Sequence, residues 1–105
     1  MTDLNSSGIA ADAFAVALGR ELADLRHQLN LTQRQAVARY HERTGRHLAD
    51  RSLLSYERAH RVPSLARLVE LADVYGVSPV WLFSEAIRKA GRDPSCLFCG
   101  RDSDG

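Results

Sequence analysis

The sequence lacks any apolar run approaching the roughly 18 residues that a membrane-spanning helix requires. Its N-terminus also lacks the positively charged start and the apolar stretch of a secretory signal. We therefore expect a cytoplasmic protein in which both cysteines are reduced. A chain of 105 residues, 45% of them hydrophobic, has room for one domain with a modest core.

The sequence also lacks the residue combinations that carry catalysis. There is no acid pair suited to a cleft, no nucleophile beside a base and no glycine-rich phosphate loop. None of the four histidines stands at a recognised spacing from a Ser, a Cys or an acid, so we predict no metal site and no catalytic base among them. The sequence predicts that the protein is not an enzyme.

Lysine is nearly absent, and the net charge is only +1. The overall composition therefore does not indicate nucleic-acid binding, but the distribution of charge does. Residues 26–61, here called the basic segment, carry eight arginines against three acids and contain all four histidines. Lys89 is the only lysine among 14 basic residues. Arginine presents a planar fork of donors that suits phosphates and guanine edges.

Apolar spacing predicts five helices and no strand. The first helix starts at about Ala11, and intervals of three and four residues define its apolar stripe: Phe14, Leu18, Leu22, Leu25 and Leu29. Gly19 lies inside this helix at a cost of roughly 1 kcal/mol relative to alanine, which indicates a close-packing role. Thr32 caps the second helix with Gln35 completing a capping box, and Thr44-Gly45 ends it.

The third predicted helix runs from about Asp50 to Ala59. Asp50 serves as its N-cap or as an acid in its first turn. Leu53 and Tyr56 face inward, and the opposite face carries side chains that can form hydrogen bonds in the major groove of DNA: Arg51, Ser55 and Arg58.

Ser64 caps the fourth predicted helix and Gly76 ends it, with an apolar face made of Leu65, Leu68, Val69, Ala72 and Tyr75. Ser78-Pro79 opens the fifth helix, which ends at Gly91. This helix has two apolar stripes, one of Val80, Phe83 and Ile87 and one of Trp81, Leu82 and Ala86. A terminal helix can bury only one of them in its own core, so we predict a homodimer interface that includes Val80, Trp81, Phe83 and Ile87.

The domain is predicted to occupy residues 11–91 between a flexible N-terminus, 1–10, and a flexible C-terminal tail, 92–105. Cys96 and Cys99 in this tail have the spacing of half a tetrahedral zinc site. The other half is missing from the chain, although a second tail or a histidine could supply it. We predict an unliganded tail and no cofactor.

These signals, in this order, resemble the Cro/C1-type (XRE) helix-turn-helix family. The motifs are Leu18-Gly19-Arg20-Glu21-Leu22, Leu31-Thr32-Gln33, Tyr56-Glu57-Arg58, Pro63-Ser64 and Tyr75-Gly76-Val77-Ser78. The resemblance covers about residues 18–83, and the run 55–77 is especially similar to the BldD-like DNA-binding domain. It implies an all-α, five-helix, lambda-repressor-like domain whose third helix enters the major groove.

The resemblance also implies roles for single residues. Gln33 would touch the phosphate backbone, and Arg26 with Glu57 would tie the first helix to the end of the third. Asp50, Arg51, Leu54 and Ser55 stand at the base-facing positions. Arg43, Arg46, His47 and Arg61 are predicted phosphate contacts because of their place in the basic segment. The full set of predicted DNA contacts is Gln33, Arg34, Arg43, Arg46, His47, Asp50, Arg51, Ser52, Leu54, Ser55, Arg58 and Arg61.

The sequence departs from the family pattern in three places. The segment between the second and third helix motifs is about six residues longer than usual for a helix-turn-helix, and we place the additional length in Tyr40–His47. Leu54 replaces a serine. Ala59 replaces a glycine, so that turn must avoid a left-handed residue or strain it.

These observations predict a sequence-specific regulator of transcription, a repressor, that binds double-stranded DNA as a homodimer. The alternative is a protein-interaction module on the same fold, such as an antitoxin or a regulatory adaptor. The two apolar stripes of the fifth helix and the low net charge favour that alternative, and the basic segment favours DNA.

Overall fold

The computed structural model describes residues 11–91, which form five α-helices without a strand. The helices are α1 (Ala11–Gln28), α2 (Gln33–Thr44), α3 (Asp50–Glu57), α4 (Leu65–Tyr75) and α5 (Pro79–Gly91). The predicted all-α, five-helix fold is confirmed. Both predicted terminal segments, and with them Cys96 and Cys99, lie outside the described residues. Among the described helices, none is both long and apolar enough to cross a membrane.

Three helices begin at the caps that the sequence predicts. The Thr32 hydroxyl accepts the Gln35 N–H at 3.1 Å, and the Gln35 side chain accepts the Thr32 N–H at 2.9 Å. The Ser64 hydroxyl accepts the Arg67 N–H at 3.1 Å, and the Ser78 hydroxyl accepts the Val80 N–H at 3.1 Å. These local bonds fix where α2, α4 and α5 start.

Helix α3 is less well capped at its start. Its N-cap residue is Ala49, which offers no side-chain acceptor, and Asp50 lies in the first turn. Of the two predicted roles for Asp50, the first-turn acid is therefore the right one. The helix ends at Glu57, two residues before the predicted end, because the chain turns left-handed at Ala59.

Helices α1, α3 and α4 end in the same motif, in which a left-handed residue lets a following N–H bond a carbonyl of the last turn. The left-handed residues are Asn30, Ala59 and Gly76, with φ of 57°, 63° and 74°. After Ala59, the His60 N–H donates to the Ser55 carbonyl at 2.9 Å. Alanine pays roughly 1–2 kcal/mol for this conformation, whereas glycine adopts it freely. The turn after α3 is therefore strained.

All five helices and the α2–α3 connection contribute to one core. The predicted inward positions Leu53, Tyr56 and Tyr75 are buried. The buried members of the core are Leu18, Leu22, Leu25, Ala36, Tyr40, Leu48, Leu53, Tyr56, Leu68, Leu71, Ala72, Val74, Tyr75, Leu82 and Ala86.

Three predicted core positions are wrong, because Leu29, Leu65 and Val69 are exposed. Leu29 follows the last residue of α1, and Leu65 is the first residue of α4, so both lie at the ends of helices. Helix α4 turns Val74 into the core and leaves Val69 outside.

Gly19 brings the backbone of α1 directly against the end of α3. A Cβ atom at this position would lie 2.6 Å from the carbonyl oxygens of both Tyr56 and Glu57. No side chain fits there unless the backbone moves, and the predicted close-packing role is confirmed. Elsewhere on α1, the buried Glu21 carboxylate accepts a bond from Lys89 at 2.6 Å, which ties α5 to α1.

Candidate nucleic-acid interface

The Glu57 carboxylate is the common acceptor behind the helix-turn-helix. The Arg26 guanidinium donates to it twice, from Nε at 2.7 Å and from Nη2 at 3.0 Å. Gln33 Nε2 donates to it at 3.1 Å. The third Arg26 nitrogen, Nη1, donates to the Leu31 carbonyl at 2.9 Å. The pair that the resemblance implied is therefore present, and Gln33 joins it.

This cluster is nearly closed to solvent, since the side chains of Arg26 and Glu57 are only 11% and 6% exposed. The hydrogen bond to Glu57 raises the pKa of Arg26, against the opposing effect of burial. Because the three side chains belong to α1, α2 and α3, the cluster fixes the angle between the two helices of the motif. Removing Arg26 or Glu57 would leave the other buried charge unpaired, which is strongly destabilising.

The outer face of α3 carries the residues that the sequence predicts as base contacts. Arg51 and Arg58 are exposed, and Ser52, Leu54 and Ser55 are half-buried. Within residues 11–91, neither of these arginines has an ion pair. Helix α3 and its C-cap residue therefore present two guanidinium groups that form no ion pair in the part of the chain that the structure describes.

The starts of α2 and α3 lie side by side. Arg34 Nε lies 3.7 Å from Asp50 Oδ2, and these side chains are 89% and 50% exposed. An exposed pair of this kind contributes at most about 1 kcal/mol, so Arg34 could exchange Asp50 for a phosphate. The Gln33 side-chain nitrogen is already bonded to Glu57, and its contact with DNA stays a prediction.

Arg43 and Arg46 differ from the other predicted contacts because α4 supplies them with acids. Arg43 donates twice to Asp73, at 2.9 and 3.1 Å, and these bonds raise the pKa of Arg43 and lower that of Asp73. Arg46 Nε lies 3.2 Å from Glu70 Oε2. Their contact with phosphates stays a prediction, and this geometry does not favour it. His47 and Arg61, predicted with them, are exposed.

The sequence reasoning missed the acids of α4. Glu70 and Asp73 are three residues apart and so share one face of the helix. Tyr40 is fully buried and donates its hydroxyl to Glu70. The pKa of Tyr40 is raised, mainly because the phenol is buried and also because of this hydrogen bond. The i, i+3 acid pair is the signal that could have indicated a partner surface for α2.

Helix α5 leaves part of its apolar surface uncovered. Leu82, Ala86 and Ala90 are buried, whereas three large apolar side chains are exposed: Val80, Trp81 and Phe83. The sequence groups Trp81 in one stripe with Leu82 and Ala86, but Trp81 is exposed whereas the other two are buried. Ile87 is half-buried, and the Phe83 ring meets the Phe14 ring edge-on at 5.5 Å between centroids.

A family model described as a helix-turn-helix domain matches residues 17–81. The match includes all of α2, α3 and α4 and both members of the Arg26–Glu57 pair. Comparison with curated proteins and with solved structures gives no match. A helix-turn-helix domain suggests DNA binding, and a small all-helical domain of this kind is typical of DNA-binding proteins that are not enzymes.

Proposed function

The chain belongs to the helix-turn-helix domain family, and from that premise we propose that it is a sequence-specific transcriptional repressor that binds double-stranded DNA. The outer face of α3 and its C-cap residue carry the proposal, because Arg51 on the helix and Arg58 at the C-cap are exposed without an ion pair in the described part of the chain. The major groove of B-DNA admits a helix of this size. The Glu57 cluster holds α3 from behind.

Within this role, Arg51 would donate both arms of its fork to a guanine edge, and Ser55 would make a weaker edge contact. Arg34, Arg58, Arg61 and His47 would meet phosphates. Each phosphate neutralised would add about 0.9 to the log–log slope of affinity against salt.

The finer assignment to the Cro/C1-type (XRE) group, with a BldD-like domain, is part of the same proposal. Two contacts support it. The Arg26–Glu57 fork stands where that resemblance implied it, and Gly19 allows α1 to touch the end of α3.

We propose further that two copies associate through the exposed apolar surface of α5. A symmetric pair would place its two α3 helices about 34 Å apart, one turn of DNA, on a near-palindromic operator. A repressor that binds the chromosome in this way would work in the cytoplasm.

Selection of bound DNA from a random duplex pool, with heparin as competitor, tests the function. A two-fold symmetric consensus is expected with the unaltered protein. A pool that stays random after repeated rounds in moderate salt would overturn the proposal.

The Val80→Asp variant tests the association. Val80 is 73% exposed, so the charge should leave the fold intact while it separates the copies, and sedimentation velocity should show a monomer. Leu65→Asp is the matched control, because Leu65 is also 73% exposed but lies on α4. An unchanged dimer in Val80→Asp would contradict an interface on α5.

The exposed apolar residues of α5 also favour a second function, a protein-interaction module such as an antitoxin or an adaptor. This role predicts that the protein binds no duplex in moderate salt and that Val80→Asp abolishes capture of a protein partner.

A further inference from the structure

An ion pair fastens the connection between α2 and α3 to α4. Arg46, in this connection, places Nε 3.2 Å from Oε2 of Glu70. The other oxygen of that carboxylate accepts the hydroxyl of Tyr40, which is fully buried. Glu70 is thus held in place from the core side and presents its free edge to Arg46.

The backbone around Arg46 is also restrained. Its N–H donates to the Thr44 hydroxyl at 3.0 Å, and two residues later Leu48 is almost completely buried in the core. The connection therefore has a polar anchor at Arg46 and an apolar anchor at Leu48 before α3 begins at Asp50.

The start of α3 has little else to hold it. At its other end the helix is fixed by the Glu57 cluster and by the backbone contact with Gly19. At its start the N-cap Ala49 supplies no side-chain bond, and the Arg34–Asp50 pair is exposed and 3.7 Å long. The direction of this eight-residue helix therefore depends on the connection that precedes it.

We propose that Arg46 and Glu70 are positioning residues, which hold the start of α3 in the orientation that specific DNA recognition requires. Arg46 then acts through Glu70 and not as a phosphate contact. This role rests on the DNA binding proposed above and adds a specificity determinant outside the surface that faces DNA.

Two substitutions separate positioning from phosphate contact. If Arg46 contacts a phosphate, Arg46→Ala should lower the affinity of the protein for every duplex. Glu70→Gln should then raise the affinity for every duplex, because it releases the arginine. As a positioning pair, both substitutions lower the ratio of specific to random affinity. Glu70→Gln keeps an acceptor for the Tyr40 hydroxyl, so the core contact survives.

The experiment measures dissociation constants for the selected operator and for a random duplex over a series of salt concentrations. Both variants should lower the specific-to-random ratio about two- to fivefold, the range that an exposed ion pair can supply, with the salt slope unchanged. Arg88→Gln, which breaks a partly exposed Arg–Glu pair within α5, is the control and should leave the ratio unchanged. A ratio that does not fall in Glu70→Gln, or a slope that falls by about one in Arg46→Ala, overturns the proposal.

Hydrogen exchange supplies a readout that needs no DNA. The N–H groups of Ser52 and Leu53 donate to the Ala49 carbonyl at 3.0 and 3.2 Å, so both should exchange faster in Arg46→Ala and in Glu70→Gln. The Arg58 N–H, bonded to the Leu54 carbonyl at the other end of α3, should be unaffected. Failure of the unaltered protein to select any duplex defeats the proposed function, whereas unchanged exchange at Ser52 and Leu53 defeats the positioning role.

Discussion

Six of the eight arginines of the basic segment fall into two groups that differ in their partners. The paired arginines, Arg26, Arg43 and Arg46, lie 2.7, 2.9 and 3.2 Å from carboxylate oxygens. The unpaired arginines, Arg51, Arg58 and Arg61, are exposed and have no ion pair among residues 11–91. The same side chain therefore holds helices together in one group and stays available for a ligand in the other.

The difference shows that the tertiary structure determines which arginines are free to bind a ligand. A local count of charge locates the basic segment, but acids elsewhere decide which guanidinium groups remain uncompensated. Asp73 and Glu70, which engage Arg43 and Arg46, lie on α4 outside that segment. The two groups should consequently respond to substitution in different measurements, the paired group in stability and the unpaired group in binding.

Arg26→Ala should have the largest effect. It leaves the Glu57 carboxylate, only 6% exposed, without its two-armed partner, and we expect the free energy of unfolding to fall by about 3–5 kcal/mol. Denaturant unfolding followed by circular dichroism measures this. Arg20→Ala removes an exposed arginine of the same helix and should change stability by less than about 0.5 kcal/mol. Similar small values for both variants would contradict a structural role for the pair.

Arg51→Ala should leave stability unchanged and weaken binding to the selected operator by about 1–3 kcal/mol, the value of a bidentate contact with guanine. Titration of the operator and of random DNA under one salt condition measures both affinities. An equal loss on the two duplexes would mean that Arg51 touches only the DNA backbone.

Ala59→Gly should stabilise the turn that lies between two of the unpaired arginines, Arg58 and Arg61. It relieves the left-handed strain at φ 63°, and the greater freedom of glycine in the unfolded chain offsets part of the gain, which leaves about 0.5–1 kcal/mol. Gly76→Ala is the reciprocal control, since it introduces alanine at φ 74° and should be destabilising. Thermal unfolding measures the change in stability of each variant, which should be positive for Ala59→Gly and negative for Gly76→Ala. A loss of stability in Ala59→Gly would show that the turn is not strained.

Asp73→Asn should have the smallest effect on stability, and this effect should depend on pH. The two bonds from Arg43 lower the pKa of the Asp73 carboxyl, so folding releases protons there. Its stabilising contribution is present above the ordinary carboxyl pKa and is lost as the pH falls through the lowered value. The unaltered protein should therefore exceed Asp73→Asn in stability at about pH 7, and this advantage should be smaller at about pH 3, below the ordinary carboxyl pKa. Urea unfolding at both pH values measures the difference, and an advantage that grows in acid would be inconsistent with this ion pair.

The helices and most of their ends could be predicted because the signals are local. The Thr32–Gln35 box, the Ser64 cap and the Ser78-Pro79 start each depend on atoms at most three residues apart. The close approach at Gly19 was also predictable, since glycine inside a helix is costly unless something needs the space. The Arg26–Glu57 pair followed from family resemblance, because nothing in the spacing of the two residues points to it.

What the sequence could not reveal depends on contacts between distant segments. Helix α4 is apolar on more than one side, and only its neighbours determine that Val74 is buried and Val69 exposed. The phosphate contacts of Arg43 and Arg46 stay predictions, but the acids that engage these two arginines lie 30 and 24 residues further along the chain, so a local count of charge does not find them. Local spacing carries no information of this kind.

One carboxylate, that of Glu57, belongs to α3 and is bonded by side chains from α1 and α2. If these three helices moved relative to one another, the buried Glu57 carboxylate would lose its hydrogen-bond partners while still shielded from water. Helices α1, α2 and α3 would therefore bind DNA as one rigid body, and the duplex would have to bend or twist to relieve a poor fit. Base pairs that no side chain touches would then influence affinity through their flexibility alone.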